Sequence, residues 1–304
     1  MSPETREFFV EASDGTRLYT RTQAGPCEVT ALLCDGLCCD GYIYKYIWEE
    51  LAGVCSLAHF HYRGHGRSEL PRDPGRIDVR AHAADAISVI DALKPPCVVL
   101  FGHSLGTQVA LEVFRERREC VSGMVLMCGS FGRVTHTFKR SDLLANVLPD
   151  LIRWVTQHPK LARAIWTRVP VRGAMRLASL LGDINIKAVK VDDVAPYFKH
   201  AIHVDFDIFL NMLRLAGEHS AEDLLEQVDV PVLIISGERD TITPPEVSRA
   251  MAEAMPRAEH FVVPGGTHVA PLEQRELVNA EIKRFLNEST VLICSALDRD
   301  AGGG

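Results

Sequence analysis

No stretch of this 304-residue chain approaches the roughly 20 consecutive apolar residues that a membrane-spanning helix needs. The opening residues, Met1-Ser2-Pro3-Glu4-Thr5-Arg6-Glu7, lack the apolar centre of a secretory leader. Net positive charge is missing as well: the formal charge is −7, which argues against a general nucleic-acid binder. No internal repeat is present, and nothing of low complexity precedes the closing Gly302-Gly303-Gly304. The nine cysteines are odd in number and include the adjacent pair Cys38 and Cys39, so they do not read as a disulfide framework. Free thiols, several in apolar segments such as those around Cys34, Cys97 and Cys128, point to a reducing compartment and a cytoplasmic location.

What is present is ordinary globular composition, 47% hydrophobic and 24% charged, arranged as alternating strands and helices. An edge hairpin is expected from Phe8–Val10 and Leu18–Thr20, turned through Asp14-Gly15. Buried strands are expected at Ala31–Cys34, Val54–Phe60, Cys97–Phe101, Gly123–Cys128, Val232–Ser236 and Phe261–Val263. Helical periodicity falls near 42–52, 78–93, 104–118, 245–255 and 271–287. This alternation predicts an α/β fold with a mostly parallel central sheet and helices on both faces. One connection is too long: between Cys128 and Pro231 lies far more chain than a crossover requires, so an inserted structure is expected. The reading is a core of residues 1–130 and 223–289, a helical cap at 131–222, and a flexible tail at 290–304. In the cap, Leu143, Leu144, Val147, Leu148, Leu151, Ile152 and Val155 form an apolar stripe, and Pro149 is expected to split it into two short helices.

The most informative segment is Cys97-Val98-Val99-Leu100-Phe101-Gly102-His103-Ser104-Leu105-Gly106. It reads as an apolar strand without alternation, a serine between two glycines, and an amphipathic helix with Leu105, Val109, Ala110, Val113 and Phe114 on one face. A serine driven through a tight strand-to-helix turn needs very small residues two positions to either side, and Gly102 and Gly106 meet that need. Serine is a weak nucleophile that needs a base, and the base needs an orienting acid. Asp240 and His268 supply them, each just beyond the end of an expected strand. Glu238, Asp205, Asp207 and Asp229 compete for the acid's role, but Asp240 has the best station.

The order Ser104, Asp240, His268, each after a strand, resembles the α/β-hydrolase superfamily over about residues 8–288, and the insertion after the sixth strand resembles its lidded members. Some members take the acid from the end of the sixth strand; here that station reads Cys128-Gly129-Ser130 and offers none. The resemblance implies oxyanion donors at the N–H groups of Leu105 and Leu37. Many relatives begin the Leu37 loop with His-Gly, whereas this chain has Cys34-Asp35-Gly36-Leu37. An acid there opposes negative charge unless its carboxylate is engaged elsewhere, so Asp35 reads as a brace for the loop. Epoxide hydrolases and haloalkane dehalogenases place a carboxylate where Ser104 stands, which argues against both.

Three histidines, His59, His61 and His65, lie close together but lack an acid or thiol to complete a metal-ligand set, and the stretch from Arg63 to Ser68 resembles a structural loop of the family. No metal or cofactor is therefore expected. Cys38 and Cys39 read as packing, as do Trp48, Trp154 and Trp166, the last two being placed to line a pocket. Residues 131–190 hold eleven Lys or Arg against three acids, +8 where the remainder is −15. That contrast fits either a solvated lid over an acidic body or a lid that meets an anionic membrane or an acidic carrier. The implied activity is serine-dependent hydrolysis of small apolar carboxylic esters. Thioester, lactone or carbon–carbon hydrolysis and cofactor-free perhydrolysis use the same groups, and a ligand receptor is the non-enzymatic reading. Oligomeric state is not legible.

Overall fold

A computed structural model describes residues 4–301, with side chains described through Ser289. The core elements are β1 (Thr5–Glu11), β2 (Arg17–Gln23), β3 (Val29–Cys34), α1 (Lys45–Leu51), β4 (Ser56–Phe60), α2 (Val79–Leu93), β5 (Cys97–His103), α3 (Leu105–Glu116) and β6 (Val121–Met127). Six helices follow: α4 (Val134–Thr137), α5 (Leu143–Gln157), α6 (Pro159–Trp166), α7 (Val171–Leu180), α8 (Val191–Ala201) and α9 (Phe206–Glu218). The core resumes with β7 (Val232–Gly237), α10 (Pro245–Ala254), β8 (Ala258–Val263), α11 (Ala270–Glu273) and α12 (Arg275–Ala301).

The eight strands form one sheet in the order β1-β2-β4-β3-β5-β6-β7-β8. β1 with β2 and β2 with β4 run antiparallel, and every other pair is parallel. The expected edge hairpin is present, with Gly15 at φ +81° and Asp14 Oδ1 accepting from the Thr16 N–H at 3.1 Å. Alternate residues of the central strands feed two separate apolar cores. Val98 and Leu100 pack with α2 and α3 on one face; Val99 and Phe101 pack with α1 and α12 on the other. Burial on both faces is why β5 carries no polar alternation. Each fully buried Leu100 or Phe101 side chain contributes about 1.5–3 kcal/mol.

Several boundaries differ from expectation. The helix expected to break at Pro149 runs unbroken from Leu143 to Gln157. Proline removes one intrahelical bond, but Leu148 and Val155 are buried against Leu210 of α9 and hold the turns on either side, while Pro149 faces solvent. The helix expected at 271–287 is broken at Gln274, whose φ of −125° and ψ of 47° are not helical, and α12 then continues to Ala301. Gly302–Gly304 of the expected tail lie outside the described residues. The first helical segment opens as a 3-10 turn over Tyr42–Tyr44. The two ends of the insertion meet at an antiparallel bridge between Gly132 and Ser220.

One buried ion pair ties the sheet to the helices. Arg63, just beyond β4, is fully buried and donates through Nε to Asp85 of α2 at 2.7 Å and through Nη1 to Asp14 of the hairpin turn at 2.8 Å. Its Nη2 also bonds Asp85, completing a two-pronged contact. Removing Asp85 leaves Nε and Nη2 of a buried guanidinium without their carboxylate, while Nη1 keeps its contact with Asp14. Asp85→Ala is expected to lower unfolding free energy by about 3–5 kcal/mol in urea titrations. A loss under about 1 kcal/mol contradicts this role for the pair.

Candidate active site

Ser104 connects β5 to α3 with φ 55° and ψ −117°, a conformation that costs a non-glycine residue energy. The neighbouring glycines explain how the turn is tolerated. A Cβ on Gly106 would stand 2.0 Å from the Cys34 carbonyl oxygen, and one on Gly102 would stand 2.5 Å from the carbonyl oxygen of Gly106. Neither position accepts any side chain.

Ser104 Oγ lies 3.0 Å from His268 Nε2, and His268 Nδ1 lies 2.9 Å from Asp240 Oδ2. The structure thus joins the three expected residues, from the ends of β5, β7 and β8, in one hydrogen-bonded chain. Asp240 and His268 are both buried, at 1% and 8% exposure. Asp240 Oδ1 accepts the N–H groups of Ile242 and Thr243, each at 2.9 Å, which fixes the carboxylate plane. The competing acids are committed elsewhere or remote. Glu238 accepts from the Gly265 N–H at 2.7 Å, Asp229 pairs with Arg118, Asp205 with Arg163, and Asp207 is solvent-exposed.

Several groups around this chain were not singled out by the sequence. Thr243 Oγ1 lies 2.8 Å from Asp240 Oδ2 and 2.7 Å from the Cys128 carbonyl. Its spacing three residues after an aspartate is the turn signal that could have revealed it. His103 is fully buried, is pushed down to about 3 by that burial, and as a neutral ring donates from Nε2 to the His268 carbonyl at 3.0 Å. Glu273 accepts from the N–H and hydroxyl of Thr267 at 2.6 and 2.7 Å, and from the Asn185 N–H of the insertion at 2.8 Å.

The loop after β3 is held from behind. Tyr44 donates its hydroxyl to the Cys34 carbonyl at 2.6 Å, and Tyr62 donates to the Asp35 carbonyl at 2.9 Å. Asp35 is wholly buried with Oδ2 at 2.7 Å from His59 Nε2, so its carboxyl braces the loop. Leu37 and Leu105 both line the cavity that contains Ser104 and His268. The other two histidines serve their own loop: His61 Nδ1 accepts the Arg67 N–H at 2.9 Å, and His65 Nδ1 sits 3.0 Å from the Arg63 carbonyl. Burial keeps both neutral, at about 2 and about 4. Among the described residues no three His, Cys, Asp or Glu side chains converge as a metal-ligand group. Cys38 and Cys39 are buried thiols that burial pushes upward, consistent with packing.

Above Ser104 is a cavity of about 540 Å³. Its walls are mainly apolar and come largely from the insertion, including Leu148, Leu151, Trp166, Phe206, Phe209 and Leu213. Trp166 stacks on Phe206 with ring centroids 4.5 Å apart, whereas Trp154 stacks on His158 outside the lining. A hydroxyl bonded to an imidazole, backed by a carboxylate and facing an apolar chamber, can attack a bound acyl carbon.

A model of the alpha/beta hydrolase family matches residues 35–281. The chain belongs to the alpha/beta hydrolase family. It is 24% identical over 277 residues to an uncharacterized hydrolase of Bacillus subtilis (strain 168), YugF, across 90% of this chain and 95% of that protein. It is 25% identical over 228 residues to the bifunctional esterase/perhydrolase DCH of Acinetobacter calcoaceticus, across 74% of this chain and 79% of that one. Among solved structures, an esterase of Exiguobacterium antarcticum superposes with a TM-score of 0.71 at 20% identity, covering 93% of this chain and 100% of that one. That likeness carries the alpha/beta hydrolase fold. Among the described residues, no helix is long and apolar enough to cross a membrane.

Within this family fold, Asp35 gives a pH signature. Burial raises its carboxyl from 3.8 to about 7, with Arg21 and His200 pulling the other way. A raised acid binds its proton more tightly in the folded state, so stability falls as pH rises from 3.8 through about 7. Asp35→Asn, which cannot titrate, is expected to flatten that part of the stability–pH curve in denaturant titrations. Parallel curves for the two proteins contradict the assignment.

Proposed function

We propose that this protein is a serine hydrolase that cleaves carboxylic esters of small apolar molecules through an acyl-enzyme on Ser104. The observation that carries the reading is the Ser104–His268–Asp240 chain, with contacts of 3.0 and 2.9 Å, at the floor of an apolar cavity of about 540 Å³. His268 takes the proton of Ser104 as Oγ attacks the acyl carbon, and Asp240 fixes the imidazole tautomer and stabilises its cation. The tetrahedral oxyanion accepts from the N–H groups of Leu37 and Leu105, each donor contributing about 3 kcal/mol. His268 returns its proton to the departing alcohol, leaving an ester on Ser104. Water then loses a proton to His268, attacks that ester and releases the acid.

Asp35 need not oppose this chemistry, because burial raises its carboxyl to about 7, favouring the uncharged acid, and its Oδ2 is engaged by His59. The inserted helices act as the cap that encloses the acyl group and excludes water. The names of the esterase/perhydrolase relative and of the esterase with the same fold support ester substrates.

Ser104→Ala is expected to reduce kcat/KM for chromogenic esters by at least about 10⁴-fold, and Asp240→Asn by about 10⁴-fold. A series of esters of increasing acyl length, assayed beside thioesters and lactones, is expected to favour the esters. Undiminished ester turnover by Ser104→Ala sinks the assignment, and absence of turnover by the unmodified protein on the whole series favours a ligand receptor.

A further inference from the structure

Fifteen large apolar side chains are substantially exposed among the described residues, and eleven of them lie between Leu143 and Val191 in the insertion. They follow helical spacing. Leu143, Val147, Leu151 and Trp154 form an outer stripe on α5, while Leu148 and Val155 face inward. Leu161 and Ile165 continue the pattern on α6, and Leu177 and Leu180 on α7, where Leu180 is 85% exposed. A soluble surface has little reason to gather apolar side chains so heavily in one segment.

The charges on the same helices identify what such a surface meets. Residues 131–190 carry +8 while the rest of the chain carries −15. Lys160, Arg172 and Arg176 on these helices, and Lys187 and Lys190 just beyond them, are exposed and form no ion pair among the described residues, whereas Arg153 and Arg163 are paired with Asp150 and Asp205. Two copies meeting through this face would set the exposed cations Lys160, Arg172 and Arg176 of one against those of the other, which disfavours a symmetric dimer. Protein interfaces deplete lysine at their centres, whereas helices that lie in a membrane surface mix Lys and Arg with Leu and Trp in this way. The surface also leads to the site: Leu151 is 37% exposed and lines the cavity, and Trp166 and Ala178 line it beside the outward Ile165 and Leu177.

We propose that the outer faces of α5, α6 and α7 dock this protein on an anionic lipid bilayer, with the cavity opening toward the acyl region of the membrane. Lys and Arg hold the headgroup phosphates, the apolar stripe enters the interface, and an apolar substrate dissolved in the bilayer reaches Ser104 with little passage through water. Docking is independent of the chemistry at Ser104, so it stands or falls separately from the hydrolase reading.

Vesicle co-sedimentation of the full chain tests it. The protein is expected to pellet with phosphatidylglycerol vesicles at low ionic strength, to be released by salt, and to remain in solution with phosphatidylcholine vesicles. Ile165→Asp with Leu180→Asp is expected to lower the bound fraction about tenfold. Charge reversal at Lys160, Arg172 and Arg176 is expected to lower it by at least as much. None of these side chains lines the cavity, so turnover of a short water-soluble ester stays at the unmodified level and reports an intact fold. No pelleting of the unmodified protein with phosphatidylglycerol at low salt overturns the proposal, as does equal binding to both lipids. Undiminished binding by both sets of variants also overturns it, and so does a self-association through this face that vesicles do not compete away.

Discussion

At the start of α3 two backbones pass so closely that only hydrogen fits between them: a Cβ on Gly106 would lie 2.0 Å from the Cys34 carbonyl oxygen and 2.8 Å from that of Asp35. This contact presses the first turn of the helix against the end of β3. It allows the chain to reverse at Ser104, and it brings the Asp35–Leu37 loop beside the serine. The loop cannot drift away, because Tyr44 and Tyr62 bond its carbonyls and Asp35 is joined to His59. Parallel pairing of β5 with β3 and β6 puts the elbow at the carboxyl edge of the sheet, where β7 and β8 deliver Asp240 and His268.

The polar chain is itself held by uncharged partners. His103 grips the His268 carbonyl, and Thr243 orients Asp240 through both its N–H and its hydroxyl. The insertion is fastened to the same two loops. The Lys139 N–H donates to the Thr241 carbonyl at 2.7 Å, Thr241 donates its hydroxyl to Asp183, and Glu273 joins Asn185 to Thr267. Thr241 beside the acid and Thr267 beside the imidazole are therefore joined to Asp183 and Asn185 of the segment between α7 and α8, and Asp183 itself lines the cavity.

Local physics made much of this readable before any coordinates. A strand buried on both faces must be apolar throughout, and a strained serine turn dictates glycine at Gly102 and Gly106, so β5, the elbow and α3 announce themselves. Asp240 and His268 were legible from their stations after strands. His103, Tyr44, Tyr62 and Glu273 were not, because each acts on a carbonyl or N–H whose position depends on tertiary packing. Asp35 was legible as a loop brace, but His59 as its partner was not, since Asp35 follows β3 while His59 lies on the neighbouring β4, 24 residues away in sequence. Pro149 misled for a related reason: local propensity argues for a break, and burial of Leu148 and Val155 overrides it.

The proposed mechanism requires Ser104 Oγ, bonded to His268 and backed by Asp240, to accept the acyl group. Acid-quenching the protein during turnover of a slowly deacylating ester, followed by tandem mass spectrometry of the peptide containing Ser104, tests it most directly. The expected result is the acyl mass on Ser104 alone, appearing within the first turnover and decaying as water releases the acid. Ester turnover with no acyl group on Ser104, or with the acyl group on another residue, would contradict the account.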